Sequence, residues 1–446
     1  MKPFPSSWPI RPVSHPVHAT VQPPGSKSIT NRALVLAALS SHVQPVVLEG
    51  ALLCEDTELM MSALRNLGFE VRQQGTKVEV TVGPRAPIIP TAQAELFCGN
   101  SGTTMRFLTA MVSLGQGEYR LDGVERMRQR PIQDLLSALK QLGVDAVSEA
   151  GTGCPPVRIR TQGWRPAEAV AVGGEMSSQF LSGLLLAAPW SGVAVRFYVQ
   201  GRLVSEPYVV MTLRILEAFG ARVEACGPWG DAPAVSSKLG QFSVPVQQPC
   251  GAKRYVIEPD ATAATYWWAL AAITRGCITV CGLNRNSLQG DIRFVEVLER
   301  MGCRVDWRSD GITVQGGPLQ GVEADMNAIS DTVMTLAAVA CFAEGPTHIY
   351  NVAHIRYKET DRLAALAREL TRLGVEVQEE PDGLIIYPRP MQGAVLETYN
   401  DHRLAMSLAL IGLRVPGVVI HNPACVAKTY PDFFIELERL CNRGGA

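Results

Sequence analysis

Along this chain, short polar clusters alternate with long runs of small and apolar residues, and the alternation has a period. Six clusters open directly onto runs that read as helices: Ser26-Lys27-Ser28, Ser101-Gly102-Thr103-Thr104, Ser177-Ser178-Gln179, Asp260-Ala261-Thr262, Ser330-Asp331-Thr332 and Asn400-Asp401-His402-Arg403. From Ser26 through Ser101, Ser177, Asp260 and Asp331 to Asp401 the steps are 75, 76, 83, 71 and 70 residues, so one supersecondary unit recurs six times. A helix start leaves backbone N–H groups unpaired and carries the positive end of the helix dipole, which makes each cluster a candidate anion seat. Six seats point to a strongly anionic substrate pair.

A second marker keeps step with the first. Leu-rich amphipathic segments stop at Gly68, Gly143, Gly220, Gly302 and Gly374, where glycine fits a left-handed helix C-cap. Strand-like stretches follow each stop, and two of them run into Asp310-Gly311 and Asp382-Gly383, the dipeptide of tight hairpins. The sixth copy reaches Leu440 and the end of the chain before its strands occur. The opening residues His18-Ala19-Thr20-Val21 are therefore expected to supply one, which would place both termini in one globule. The stretch from Met1 to Pro12 has no readable role.

Composition narrows the function class. The 446 residues are 47% hydrophobic, enough for two or more buried cores. Lys+Arg is 41 and Asp+Glu is 42, so no global basic excess exists to bind nucleic acid, and any anion binding is local. No apolar run approaches the roughly 18 residues that span a bilayer, and the opening Met1-Lys2-Pro3-Phe4-Pro5 lacks a signal-peptide core. A cytoplasmic location is expected, with no membrane partner and a monomer as the default. Eleven cysteines without a CxxC read as reduced thiols, neither a disulfide framework nor a zinc site. His15-Pro16-Val17-His18 makes only a weak metal pair, so no metal is assigned.

Cations concentrate at matching places in different repeats. Gly25-Ser26-Lys27-Ser28 is not a nucleotide P-loop, because Ser26 and Val21 stand where that motif needs glycine. Lys27 nevertheless sits where an ammonium and helix N–H groups share an anion, with Arg32 a turn later. Arg126-Met127-Arg128-Gln129-Arg130 packs three guanidinium groups into five residues. Lys358 and Arg362 flank Glu359 and Asp361, and Arg403 and Lys428 follow. Each alone reads first as a solvated charge run, but together they fall at helix starts or in loops of different repeats, where residues distant in sequence can converge on one cleft.

The stretches Pro24 to Ala33, Gly99-Asn100-Ser101-Gly102-Thr103-Thr104-Met105-Arg106, Asn286-Ser287-Leu288-Gln289-Gly290-Asp291, Lys358-Glu359-Thr360-Asp361-Arg362 and Tyr399-Asn400-Asp401-His402-Arg403 together resemble the signatures of the 5-enolpyruvylshikimate-3-phosphate synthase family. They occur in family order over nearly the whole chain. The resemblance implies an α/β fold of two globular domains, each of three βαβαββ repeats in an inverse α/β barrel-like arrangement, joined by a two-stranded hinge. The first globule is expected over 23–248, and the second over 1–22 plus 249–446. The implied reaction moves the enolpyruvyl group of phosphoenolpyruvate to the 5-hydroxyl of shikimate 3-phosphate, releases phosphate, and serves aromatic amino-acid biosynthesis. It needs no metal or organic cofactor, since phosphoenolpyruvate is itself the activated donor.

Carried over residue by residue, the resemblance assigns Lys27, Ser28, Arg32, Ser177, Ser178, Gln179, Ser205, Asp331, His354 and Lys358 to shikimate 3-phosphate, with Tyr208 as a further wall. It assigns Lys27, Gly102, Arg126, Gln179, Arg362, Arg403 and Lys428 to phosphoenolpyruvate. Asp331 would take the hydroxyl proton, Glu359 would deliver and recover the methyl proton, and Lys27 would assist phosphate departure. Two residues depart from the usual pattern: His354 stands where many relatives have Asn, and Phe107, in place of a smaller residue, is expected to tilt the helix that presents Gly102. Because Gly102 is retained, glyphosate is expected to inhibit. The substrate is expected to draw the two globules together by hinge closure.

Three rival functions are disfavoured on the same residues. A UDP-N-acetylglucosamine enolpyruvyl transferase would carry a reactive Cys or Asp in the loop from Arg126 to Pro131, which has neither. A noncatalytic scaffold would lack at least one of Lys27, Asp331, Glu359, Arg362 and Lys428. A phosphotransferase would need the P-loop or a carboxylate pair for magnesium.

Overall fold

The computed structural model describes residues 4–83, 85–226, 240–247 and 251–442. The chain divides into two compact units, Gly25–Ile257 and Met1–Pro24 with Glu258–Ala446. These divisions differ from the 22/23 and 248/249 that the family resemblance implied. The second moves because Arg254–Val256 pairs in parallel with Val46–Glu49, a partnership between segments two hundred residues apart.

The six repeats are six separate sheets among the described residues, three in each unit, and none closes into a barrel. Five have four strands in one order. Two parallel strands come first, then a strand antiparallel to the second, then its hairpin partner. In the unit Gly25–Ile257 the second sheet is typical, with Gln93–Phe97 parallel to Gln116–Asp122, which pairs antiparallel with Val157–Gln162, itself paired with Asp145–Ser148. The parallel pair needs a crossover, and the helix Gly102–Val112 supplies it.

The two repeats at the chain crossings borrow their first strand. Arg254–Val256 opens the first sheet, and His18–Val21 opens the fourth by pairing with Cys277–Cys281. The expectation that His18–Val21 completes the sixth copy is thus corrected. The sixth sheet, Val395–Leu396 with Val419–His421, is completed by Ser7–Pro9, which pairs antiparallel with Val419–His421. The opening segment therefore has a structural role that no local pattern announces.

In each unit the three crossover helices pack on one another: Lys27–Ser40, Gly102–Val112 and Ser178–Ala187 in one, Ala261–Thr274, Val333–Ala340 and His402–Gly412 in the other. Being enclosed, they are buried on nearly every face, and Trp267 and Trp268 are fully buried. The second helix of each repeat lies outside and keeps a polar face, as in Glu55–Asn66 and Arg362–Arg372.

Helix ends follow local chemistry. Ser26, Ser101, Ser177, Asp260 and Asp401 each accept a backbone N–H of the first turn. Asp331 does not: the segment Asn327–Thr332 is a 3-10 helix, and Thr332 precedes Val333–Ala340 without a side-chain cap. All five stop glycines have positive φ. In the second repeat Val144 N donates to Leu139 O and Gly143 N to Lys140 O, a Schellman pair that recurs at the other four.

The two Asp-Gly hairpins form, but not for the expected reason. Neither Gly311 nor Gly383 has positive φ. Each begins the returning strand, and a Cβ on Gly383 would lie 2.1 Å from Ile349 O, so the neighbouring strand forbids a side chain. Among the described residues no helix is long and apolar enough to cross a membrane, and no group of three or more His, Cys, Asp or Glu is placed to hold a metal.

Candidate active site

In the unit Gly25–Ile257 the crossover helices bring their first turns together. Lys27, first residue of Lys27–Ser40, is 9% exposed, and its Nζ lies 3.1 Å from Asp56 Oδ2. Asp56 is itself buried at the start of Glu55–Asn66. The pair gives a desolvated ammonium its counter-charge. One turn on, Arg32 is fully buried, donating from Nε to Thr212 Oγ1 at 2.8 Å and from its terminal nitrogens to Ser28 O at 2.9 Å and Tyr208 O at 3.1 Å. Burial lowers this guanidinium to about 10, still charged at neutral pH.

Gly102 opens the next crossover helix, and its missing side chain is required by neighbours. A Cβ there would lie 2.6 Å from one Arg130 nitrogen, 3.0 Å from one of Arg106 and 3.1 Å from Gln179 Oε1. Two guanidinium groups and an amide therefore converge on this helix start. Arg130 also donates to Asn100 O at 2.9 Å and to Asn100 Oδ1 at 3.1 Å, and Arg106 donates to Pro131 O at 2.8 Å. Neither was singled out from the sequence as a ligand, although both stand inside quoted motifs.

The basic run does not act as one patch. Arg126 is partly exposed and donates to Gln129 Oε1 at 3.2 Å, and Arg128 turns outward to Asp122 at 2.7 and 3.0 Å. Arg130 turns inward, because the 3-10 turn Met127–Gln129 rotates successive side chains by a third of a circle. Ser177, Ser178 and Gln179 begin Ser178–Ala187. Ser205, buried, holds the left-handed value φ 52, and Tyr208 N donates to Ser205 O at 3.1 Å. Phe107 is buried in an unbroken helix Gly102–Val112, so its ring does not interrupt the helix that presents Gly102.

The second unit builds a charged lattice around Arg362. Its Nε donates to Asp401 Oδ2 at 2.8 Å, one terminal nitrogen to Asp331 Oδ1 at 3.1 Å, and the other to Glu359 Oε2 at 2.9 Å. Arg403 donates to Asp331 Oδ2 at 2.7 Å. Lys358 stands 4.0 Å from Asp331 and Lys428 3.9 Å from Glu359. Four cations thus face three carboxylates. Burial disfavours the charge on Asp331, but Arg403, Lys358 and Arg362 outweigh it and hold the carboxyl far below the usual carboxylate range.

The carboxylate of Asp331 is occupied by these cations, which is why it caps no helix. Asp401 does both jobs, accepting Arg403 N at 2.9 Å and the Arg362 guanidinium. His354 is buried with Nε2 2.9 Å from Ser330 Oγ, beside Asp331. Asp291, from the third quoted motif, is buried against the hydroxyl of Thr262. Its own burial and the charge of Asp331 push it up to about 7. The sequence marks Asp401 as a helix start and places Asp291 in a family motif, but gives neither of them, nor Asp56, an ion-pair role.

A lattice of this kind suits compact anions. Guanidinium forks match carboxylate and phosphate edges, and two carboxylates held among cations can exchange protons with a bound substrate. Comparison with known proteins agrees. The family model described as EPSP synthase (3-phosphoshikimate 1-carboxyvinyltransferase) matches residues 12–437. A "3-phosphoshikimate 1-carboxyvinyltransferase" of Nostoc punctiforme is 46% identical over 424 residues, covering 95% of this chain and 96% of that protein. The chloroplastic protein of that name from Arabidopsis thaliana is 41% identical, covering 97% and 83%. A solved EPSP synthase from Acinetobacter baumannii shares the fold with a TM-score of 0.75 at 24% identity, covering 98% of both chains.

Proposed function

This chain belongs to the EPSP synthase family, and from that membership and its charged clusters we infer that it is a 3-phosphoshikimate 1-carboxyvinyltransferase. It transfers the enolpyruvyl group of phosphoenolpyruvate to the 5-hydroxyl of shikimate 3-phosphate. The new bond joins that oxygen to C2 of the enolpyruvyl group, and the bond from C2 to the phosphate oxygen breaks, releasing phosphate. The observation that carries the reading is Arg362 bridging Asp331, Glu359 and Asp401, with Arg403 and Lys428 beside them.

On this reading the residues that serve shikimate 3-phosphate are Lys27, Ser28, Arg32, Ser177, Ser178, Gln179, Ser205, Asp331, His354 and Lys358. Phosphoenolpyruvate is held by Lys27, Gly102, Arg126 and Gln179, and by Arg362, Arg403 and Lys428. The enclosure of Gly102 by Arg106, Arg130 and Gln179 supports an anion seat there. The pairing of His354 with Ser330 supports a role next to Asp331. The enzyme acts as a monomer, in the cytoplasm, without a cofactor.

Glu359 delivers a proton to the methylene carbon and later recovers one from the resulting methyl group, while Asp331 takes the hydroxyl proton. Asp331 is a poor base while Arg403, Lys358 and Arg362 hold it. An incoming anion competes for those cations, and as they turn toward it the carboxylate regains basicity. Lys27, held by Asp56, stabilises the departing phosphate. Each proton transfer contributes roughly 10²–10⁴-fold to rate.

The test is phosphate release from phosphoenolpyruvate with shikimate 3-phosphate or UDP-N-acetylglucosamine as acceptor. Release with shikimate 3-phosphate alone is expected, and release only with the sugar nucleotide would overturn the reading. Asp331→Ala with near-normal turnover would remove Asp331 from its role.

A further inference from the structure

Two cations of the second unit, Arg403 and Lys428, follow turns that enter their helices through left-handed residues. Tyr399 and Asn400 have φ 51 and 56 just before Asp401, and Asn422 has φ 50 just before the 3-10 helix Pro423–Lys428. Asn enters this region more readily than other residues with a Cβ, whereas Tyr holds it only where the surroundings impose it.

What imposes it here is a set of hydrogen bonds that ties the two turns together and to a third element. Asn422 Nδ2 donates to Asn400 Oδ1 at 3.3 Å, and Asn422 N donates to Ser6 O at 2.8 Å. Tyr399 OH donates to Glu369 Oε1 at 2.6 Å, and Glu397 N donates to Glu369 Oε2 at 3.0 Å. Glu369 is fully buried, paired at 3.3 Å with Arg372. It lies seven residues after Arg362 on the helix Arg362–Arg372, two turns along roughly the same face. That one helix therefore presents Arg362 at its start and anchors, through Glu369, the turn that presents Asp401 and Arg403.

We propose that Glu369, Tyr399, Asn400 and Asn422 form a clasp that positions Arg403 and Lys428 on a single anionic substrate, which is phosphoenolpyruvate on the functional reading above. These are positioning residues: the bonds that tie them join the two turns to each other, to Ser6 and to the helix Arg362–Arg372, and they act through the backbone that carries Arg403 and Lys428. The clasp rests on that functional reading for the identity of its ligand and on its own geometry for its existence.

Asn400→Gly and Asn422→Gly test it, because glycine keeps the left-handed backbone and deletes only the amide. Phosphate release is measured for wild type, both single variants and the double variant, varying each substrate in turn, with thermal melting alongside. Each single variant is expected to raise KM for phosphoenolpyruvate about tenfold, as small misplacements of binding groups do. KM for shikimate 3-phosphate should stay within about twofold and Tm within about 3 °C, and the double variant should be no worse than either single. An unchanged KM for phosphoenolpyruvate, or both KM values rising together with a large fall in Tm, would overturn the clasp. So would effects that multiply in the double variant. Tyr399→Phe, which keeps the ring and loses the bond to Glu369, gives the same readout should a glycine variant fail to fold. A wild type inactive with shikimate 3-phosphate is a separate result: it sinks the functional reading and takes the proposed ligand of the clasp with it.

Discussion

The guanidinium carbon of Arg32 lies 5.0 Å from the ring centroid of Phe107, a cation laid over an aromatic face where both side chains are buried. Burial alone disfavours the charge, and the ring's quadrupole partly offsets that cost. Phe107→Leu should therefore act at a distance from its own position. We expect a loss of about 1–3 kcal/mol in stability from the cavity and the lost ring contact, and a several-fold rise in KM for shikimate 3-phosphate with kcat little changed. Denaturant unfolding and steady-state kinetics on the same variant check both.

Arg362 is the more severe case. Removing it leaves Asp331, Glu359 and Asp401 without the cation that bridges them. Breaking a buried ion pair on one side costs on the order of 3–5 kcal/mol, and Arg362→Ala should lose that much along with its activity. Arg362→Lys restores one charge but not the fork, so it should recover stability in part and turnover hardly at all. Chemical denaturation and phosphate release separate the two effects.

Gly102→Ala should leave the fold intact and damage the site. The added Cβ meets the far ends of Arg130 and Arg106 and the amide of Gln179, and flexible side-chain ends can shift. Tm should change by less than about 3 °C, while KM for phosphoenolpyruvate rises about tenfold or more. Glyphosate should inhibit the natural chain in competition with phosphoenolpyruvate, and less well after this substitution. A variant with unchanged kinetics would show that nothing binds against Gly102.

Asp291 predicts a pH dependence of stability. Its carboxyl is raised to about 7 in the folded protein, first by burial and then by the charge of Asp331. The folded state therefore holds a proton that the unfolded chain releases above roughly pH 4. Stability from this group is complete below that point and is lost as pH rises toward 7. Asp291→Asn keeps a partner for the Thr262 hydroxyl and removes the titration. Relative to the natural chain, its Tm should improve steadily between about pH 4 and 7 and level off above. A parallel pair of Tm profiles would place the titration elsewhere.

Much of this architecture is written in local chemistry. Ser26, Ser101, Ser177, Asp260 and Asp401 cap helices because each side chain reaches an N–H within three residues. Gly68, Gly143, Gly220, Gly302 and Gly374 end helices because only glycine enters the left-handed region without cost. Interactions spanning a few residues are readable from those residues, and the sixfold period follows from them.

Partners far apart in the chain are another matter. That Ser7–Pro9 completes the sixth sheet and His18–Val21 the fourth depends on which edges remain open after the other strands pair. That Asp331 abandons a cap for Arg362 and Arg403, and that Arg126, Arg128 and Arg130 take three directions, depends on which charges come to face them once burial removes water. Local hydrogen bonds depend on the identity of neighbouring residues, whereas strand pairing and buried ion networks depend on distance and dielectric, and those quantities exist only once the chain has folded.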